Sequence, residues 1–290
     1  MKGEYMKRDK VFEFIIKAFT LVSVAILGFI IFFIGAESLP AFRHSGVAGF
    51  FTNERWHPMG TDPVLSILPM VFATVYVSFL AVVIALPIGV GTAVFLSCVA
   101  GEAARRLLKP FIDLMAGLPS VVFGFMGLMV VVGYFERHFS MSSGESALAG
   151  GMVLAIMILP YIISTCDTTM VGIMKSYKTS SDSLGVSKWH MVRYLVLPAA
   201  SRSVLAGAVL ALARGMGETM AVMMVIGNSP IFPRLLGKCE TIPALIALEM
   251  GGAPVGSLHY HALFAAGFIL IIMRFAVSML VSHIKKGADL

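Results

Sequence analysis

The sequence predicts an all-α integral membrane protein with six spanning helices, and three observations carry that prediction. Of 290 residues, 58% are hydrophobic and only 13% charged, whereas a soluble domain holds roughly 45–50% apolar and about 25% charged residues. Six apolar runs are close to or longer than the ~20 residues that a helix needs to cross a bilayer while satisfying its own backbone. Finally, basic residues crowd into alternate connecting segments, the pattern that membrane orientation imposes.

The first run, 18–36, has no charge and follows Lys2, Lys7, Arg8, Lys10 and Lys17. That layout is signal-peptide-like, but the apolar stretch exceeds the ~7–15 residues of a cleavable core, so it reads as a span. The second, 65–99, contains Pro69 and Pro87 and is expected to begin late or to kink. The third is 111–135, the fourth 147–169, the fifth 199–226 and the sixth 261–281. None alternates with a period of two, which argues against a barrel.

Fifteen of the 22 Lys and Arg residues fall in the N-terminal tail, around Arg105, Arg106 and Lys109, between Lys175 and Arg202, and at Lys285 and Lys286. Five (Arg43, Arg55, Arg137, Arg234 and Lys238) fall on the other side. Both termini are therefore expected in the cytoplasm, with membrane lipid around the chain. The net charge of +6 is mostly topological, and no nucleic-acid partner is expected. Cys98, Cys166 and Cys239 are too scattered for a metal site or a disulfide framework.

Only Arg214 and Arg274 remain deep inside spans, Arg202 standing at the cytoplasmic start of the fifth. Arg214-Gly-Met-Gly-Glu218 places a guanidinium and a carboxylate four residues apart, and thus on one face of a continuous helix. Counted from residue 199, Arg214 lies ~22 Å into a core roughly 30 Å thick. A charge there costs at least about 2.5–3.5 kcal/mol, and such residues face a bundle interior or an aqueous path. The planar guanidinium suits an oxyanion; the alternative is a structural ion pair. Glu218 would weaken binding of a multiply charged anion unless it accepts a proton from a protonated oxyanion or merely orients Arg214. Arg274 is expected to pair with a carboxylate between helices. His259 and His261, at i and i+2, do not share a helical face and are expected simply to lie at the interface near the start of the sixth span.

No phosphate-binding G-x-x-x-x-G-K-[ST] loop, H-E-x-x-H or G-x-S-x-G motif is present, so the sequence offers no basis for an ATPase, zinc protease or serine hydrolase. Between the fourth and fifth spans, Leu184, Trp189, Val192 and Leu195 make an apolar stripe after Gly185. Two short helices at the membrane face, closed by Pro198, are the expectation.

That segment resembles the EAA loop of bacterial ABC importer permeases. Gly185, nine intervening residues and Leu195-Val-Leu197-Pro198 follow the pattern, but the Glu-Ala-Ala triplet is Thr179-Ser180-Ser181 here. Further stretches are similar to phosphate ABC importer permease subunits of the PstC type: Gly117-Leu-Pro119-Ser120-Val-Val-Phe-Gly124, Arg214-Gly-Met-Gly217-Glu218-Thr219-Met-Ala-Val, Val225-Ile-Gly227-Asn228, Glu249-Met-Gly251 and Gly256-Ser-Leu-His259-Tyr260.

The resemblance implies a type I ABC importer permease fold. It divides the chain into an N-terminal tail, first helix and outer loop (1–63), a permease core (64–283) and a cytoplasmic tail (284–290). Within the core lie a coupling loop (175–198) and an outer loop (228–260) holding a short helix. It implies a substrate path at Arg214, Glu218, Thr219 and Ser120, and coupling to an ATPase through Thr179, Ser180, Ser181, Asp182, Gly185 and Trp189. Partners would be a second, PstA-type permease, two copies of a PstB-type ATPase carrying ATP and Mg, and a PstS-type extracytoplasmic phosphate-binding protein. No cofactor is expected on this chain, which would catalyse nothing and reside in the bacterial inner membrane. A permease for sulfate or molybdate and a membrane enzyme acting on lipid phosphates are the other readings.

Overall fold

The computed structural model describes residues 2–52, 55–60, 62–139 and 143–286. In order, these form α1 (Lys2–Thr52), a small antiparallel hairpin of β1 (Trp56–His57) and β2 (Val64–Leu65), α2 (Leu68–Val99), α3 (Glu102–Gly117), α4 (Ser120–His138), α5 (Ala147–Ser183), α6 (Lys188–Gly215), α7 (Met220–Met223), α8 (Ile242–Glu249) and α9 (Leu258–Lys286). Trp56 stands opposite Leu65 in the hairpin. Six of the helices, α1, α2, α4, α5, α6 and α9, are long and apolar enough to cross a membrane. The six-span, all-helical architecture is the predicted one.

The boundaries move where proline and glycine act. Pro69 sits in the first turn of α2, where its missing N–H has no intrahelical role. The expected third span, 111–135, is divided. Leu118 and Pro119 are extended, with ψ of 139° and 137°, because proline excludes the α conformation for the residue before it. Ahead of that break, α3 is amphipathic, with Leu107, Leu108, Phe111 and Leu114 exposed and no side chain buried within the chain. A helix of this kind lies along a membrane face, and the crossing is left to α4.

The expected fifth span, 199–226, is displaced at both ends. It starts earlier because Pro198 does not close an elbow: a π-turn at Val192–Val196 lets the helix continue through the proline. It stops earlier because α6 ends at Gly215. The expected coupling loop 175–198 is largely helical, leaving 184–187 between α5 and α6. The sixth span begins at Leu258 rather than at 261, and the short helix expected within 228–260 is α8. Of the tail 284–290, residues 287–290 lie outside the described residues.

Packing of α2 against α5 forms the centre, with Val77, Ala81 and Ala85 buried beside Leu154, Ile158 and Ile162. Lipid supplies little drive for helices to associate, so small residues that permit close approach decide the contact. A Cβ on Gly151 would come within 2.8 Å of Leu80. Helices α6 and α7 complete this cluster through Ala208, Ala211, Ala221 and Val222. A second cluster at the hairpin end joins Phe50, Trp56, Leu65, Met70, Leu245 and Leu263.

Candidate functional site: an interrupted helix and its elbow

Arg214 is the penultimate residue of α6, and the chain turns immediately after it. Gly217 N–H donates to the Arg214 carbonyl at 3.1 Å, and Glu218 N–H to that of Gly215 at 3.0 Å. Arg214 and Glu218 therefore do not share a helical face as their spacing suggested, because the helix does not reach Glu218. The Glu218 carboxylate instead accepts from the Ala221 N–H of α7 at 3.2 Å, next to the positive end of that short helix. Thr219 Oγ1 lies 3.5 Å from the Gly217 carbonyl. Ser120 stands at the start of α4, one turn before Gly124, whose added Cβ would meet Ala221 Cα at 2.8 Å. Three of the four predicted path residues thus share one turn, and the fourth opens a helix packed on α7.

Neither in-span cation has a carboxylate partner among the described residues. The Arg214 guanidinium lies over the Tyr161 ring, 4.0 Å from its centroid, a contact worth about 0.5–2 kcal/mol. The Tyr161 hydroxyl donates to the Ala116 carbonyl at 3.4 Å, tying α5 to the end of α3. Arg274, expected to form an interhelical ion pair, lies against the same turn: a Cβ on Gly217 would be 2.8 Å from its Nη1 and 3.2 Å from its Cζ. Both arginines are exposed on this chain.

At the other end of α6, Thr179, Ser180, Ser181 and Asp182 occupy the last turns of α5. Gly185 follows with φ +65°, the left-handed conformation that ends helices and that glycine adopts without a Cβ penalty. Val186 N–H closes back on the Ser181 carbonyl at 3.0 Å, and the Ser187 hydroxyl accepts from His190 N–H at 3.3 Å to start α6. Of the six predicted coupling residues, Ser181 is buried and the other five are exposed. Leu184 is 79% and Trp189 63% exposed, so nothing among the described residues covers the apolar tip. A cavity of about 490 Å³ adjoins it, lined by Arg105, Lys175, Lys178, Asp182 and Lys188 among others.

Two polar clusters escaped the sequence reading. Asp167, 1% exposed within α5, binds Arg105 at 2.6 Å and Lys109 at 3.4 Å through the same oxygen, latching α3 to the bundle. An acidic residue inside an apolar run is the signal that marks it in the sequence. At the hairpin end, Glu249 accepts from Trp56 Nε1 at 2.9 and 3.1 Å and from His259 Nε2 at 2.7 Å. His261 faces another way, as its i and i+2 spacing from His259 implies: its Nδ1 lies 2.8 Å from the Glu37 carbonyl and 3.3 Å from its carboxylate. Nearby, burial and then the Glu249 charge push the Glu240 carboxyl up to about 7.

The comparisons with known proteins agree with this geometry. Residues 85–288 match the family of binding-protein-dependent transport system inner membrane components. A probable ABC transporter permease protein, YqgH of Bacillus subtilis, is 35% identical over 94% of this chain and 89% of its own length. The phosphate transport system permease protein PstC of Mesorhizobium japonicum is 32% identical over 97% and 91%, respectively. An inward-facing structure of the MetNI methionine ABC transporter superposes with a TM-score of 0.58 at 15% identity, covering 75% of this chain and 94% of that one, which shows a common fold. With a family match spanning most of its length and an interrupted, six-span helical bundle, this chain belongs to the binding-protein-dependent transport system inner membrane components: it is a multi-pass ABC importer permease, not an enzyme.

Proposed function

We propose that this chain forms one half of the path of an ATP-driven importer for inorganic phosphate. The observation that carries the reading is Arg214, a guanidinium within a membrane span, exposed on the chain and braced by an aromatic ring instead of a carboxylate. An in-span charge left without a counter-ion faces protein or water, not lipid, and its fork geometry matches a tetrahedral oxyanion. Relatives such as the PstC protein above, similar along almost the whole chain, favour phosphate. Glu218 in the same turn can accept a hydrogen bond from the P–O–H group of hydrogen phosphate, a donor that sulfate lacks. Ser120 and Thr219 add hydroxyl groups to the path.

In this reading the hairpin end faces the extracytoplasmic binding protein, and both termini and the elbow face the cytoplasm. The bare tip at Leu184, Gly185 and Trp189 seats in the ATPase subunit, with Thr179, Ser180 and Asp182 at its edge. A second, PstA-type permease covers the exposed face that carries Arg214. ATP-driven closure moves the elbow, and α6 conveys that motion as a rigid rod to the Arg214 turn. Replacing Arg214 with Gln is expected to abolish labelled-phosphate uptake by the reconstituted complex while the ATPase subunit still co-purifies. Uptake at the wild-type rate would refute the assignment.

A further inference from the structure

We propose that Arg274 is a second substrate-contacting cation, so that the turn Gly215–Glu218 presents two guanidinium groups to a multiply charged oxyanion. The inference rests on the phosphate-path reading above and extends it to a residue on a different helix. Arg214 and Glu218 by themselves carry no net charge, and a neutral turn is a poor receptor for an anion of charge two. Arg274 makes the turn cationic.

The structure supplies the placement. Arg274 belongs to α9, which packs on α6, and its guanidinium rests where a side chain at position 217 would stand, with Nη1 2.8 Å from the Cβ position. Gly217 has an ordinary backbone there, so the absence of a Cβ serves this close approach and not a special φ. Arg274 is exposed on the chain and has no hydrogen bond or ion pair among the described residues. A deep, unpaired arginine costs at least about 2.5–3.5 kcal/mol within a span, and an anion shared with Arg214 offsets that cost where no carboxylate does. Cations on two helices also give the path a device for release, since relative movement of α6 and α9 separates them.

The test is labelled-phosphate uptake by the intact reconstituted complex, read as KM and maximal rate. Arg274→Gln should raise KM by about tenfold or more, the worth of one charge-assisted contact, with the second permease and ATPase subunits still co-purifying. Arg274→Lys should recover part of the affinity. Gly217→Ala, which retains both charges but displaces the guanidinium, should raise KM by a smaller factor. An unchanged KM in Arg274→Gln, or loss of the second permease subunit from that complex, would overturn the proposal, the latter by making Arg274 an assembly contact. Arg214→Gln run alongside separates the two readings: full uptake by it sinks the phosphate path itself, whereas abolished uptake with an unchanged Arg274→Gln sinks only the second cation.

Discussion

The charges embedded in this helical bundle are of two kinds, and the difference lies in their partners. Asp167 and Glu249 are met by donors from other elements: Arg105 and Lys109 on α3 in one case, Trp56 and His259 in the other. These clusters fasten α3 and the hairpin onto the helices. Arg214 and Arg274 converge on one turn with no carboxylate partner among the described residues. Asp167 and Glu249 are engaged within the chain, whereas the two arginines remain open, and in the proposed function it is a substrate or a second subunit that meets them. The contrast makes opposite predictions for the two kinds.

The largest expected effect is on transport. Arg214→Gln should lose uptake while leaving the melting temperature of the purified complex essentially where it was. Asp167→Ala should do the reverse, losing roughly 3 kcal/mol, the low end for a broken buried pair because Arg105 and Lys109 can partly rehydrate; a fall in melting temperature would register it. If Asp167→Ala melts normally, the paired half of the comparison fails.

Glu249→Ala strands the Trp56 indole and His259, at a cost of about 1–3 kcal/mol, and should change the fluorescence of Trp56. Gly185→Val forces a β-branched residue into φ +65°, costing about 1–2 kcal/mol locally. Its main readout should be ATP hydrolysis that no longer yields proportionate uptake, and preserved coupling would argue against the elbow as the transmitting part.

The smallest effect is a pH slope. Burial, then the Glu249 charge, raises Glu240 from an ordinary 4.5 to about 7. Between those values the folded protein retains a proton that the unfolded chain has released. Stability from this group is therefore complete below the unfolded value and lost as pH rises through the folded one. Melting of the purified complex should fall across that interval, and Glu240→Gln should flatten the slope. An unaltered slope would show that Glu240 is not the group responsible.

Much of this was legible in the sequence because lipid reduces the problem to length and charge. Long apolar runs gave the six spans, and the two in-span arginines stood out by subtraction. What escaped was set by local geometry. Leu118-Pro119 splits an apolar run that hydropathy treats as continuous, and a π-turn carries α6 past a proline that ordinarily ends a helix. The termination of α6 at Gly215 turned a supposed i,i+4 pair into two groups with different partners, Tyr161 for Arg214 and the Ala221 N–H for Glu218. Contacts between distant segments, such as Trp56 with Glu249 or Gly217 with Arg274, leave no periodic signature at all.

The central claim, that the open charges of the interrupted helix serve phosphate import, is tested most directly by uptake of labelled phosphate, sulfate and molybdate into vesicles holding the reconstituted complex, with and without ATP. ATP-dependent accumulation of phosphate, undiminished by excess sulfate or molybdate, is the predicted result. Accumulation of sulfate or molybdate in preference to phosphate would contradict it.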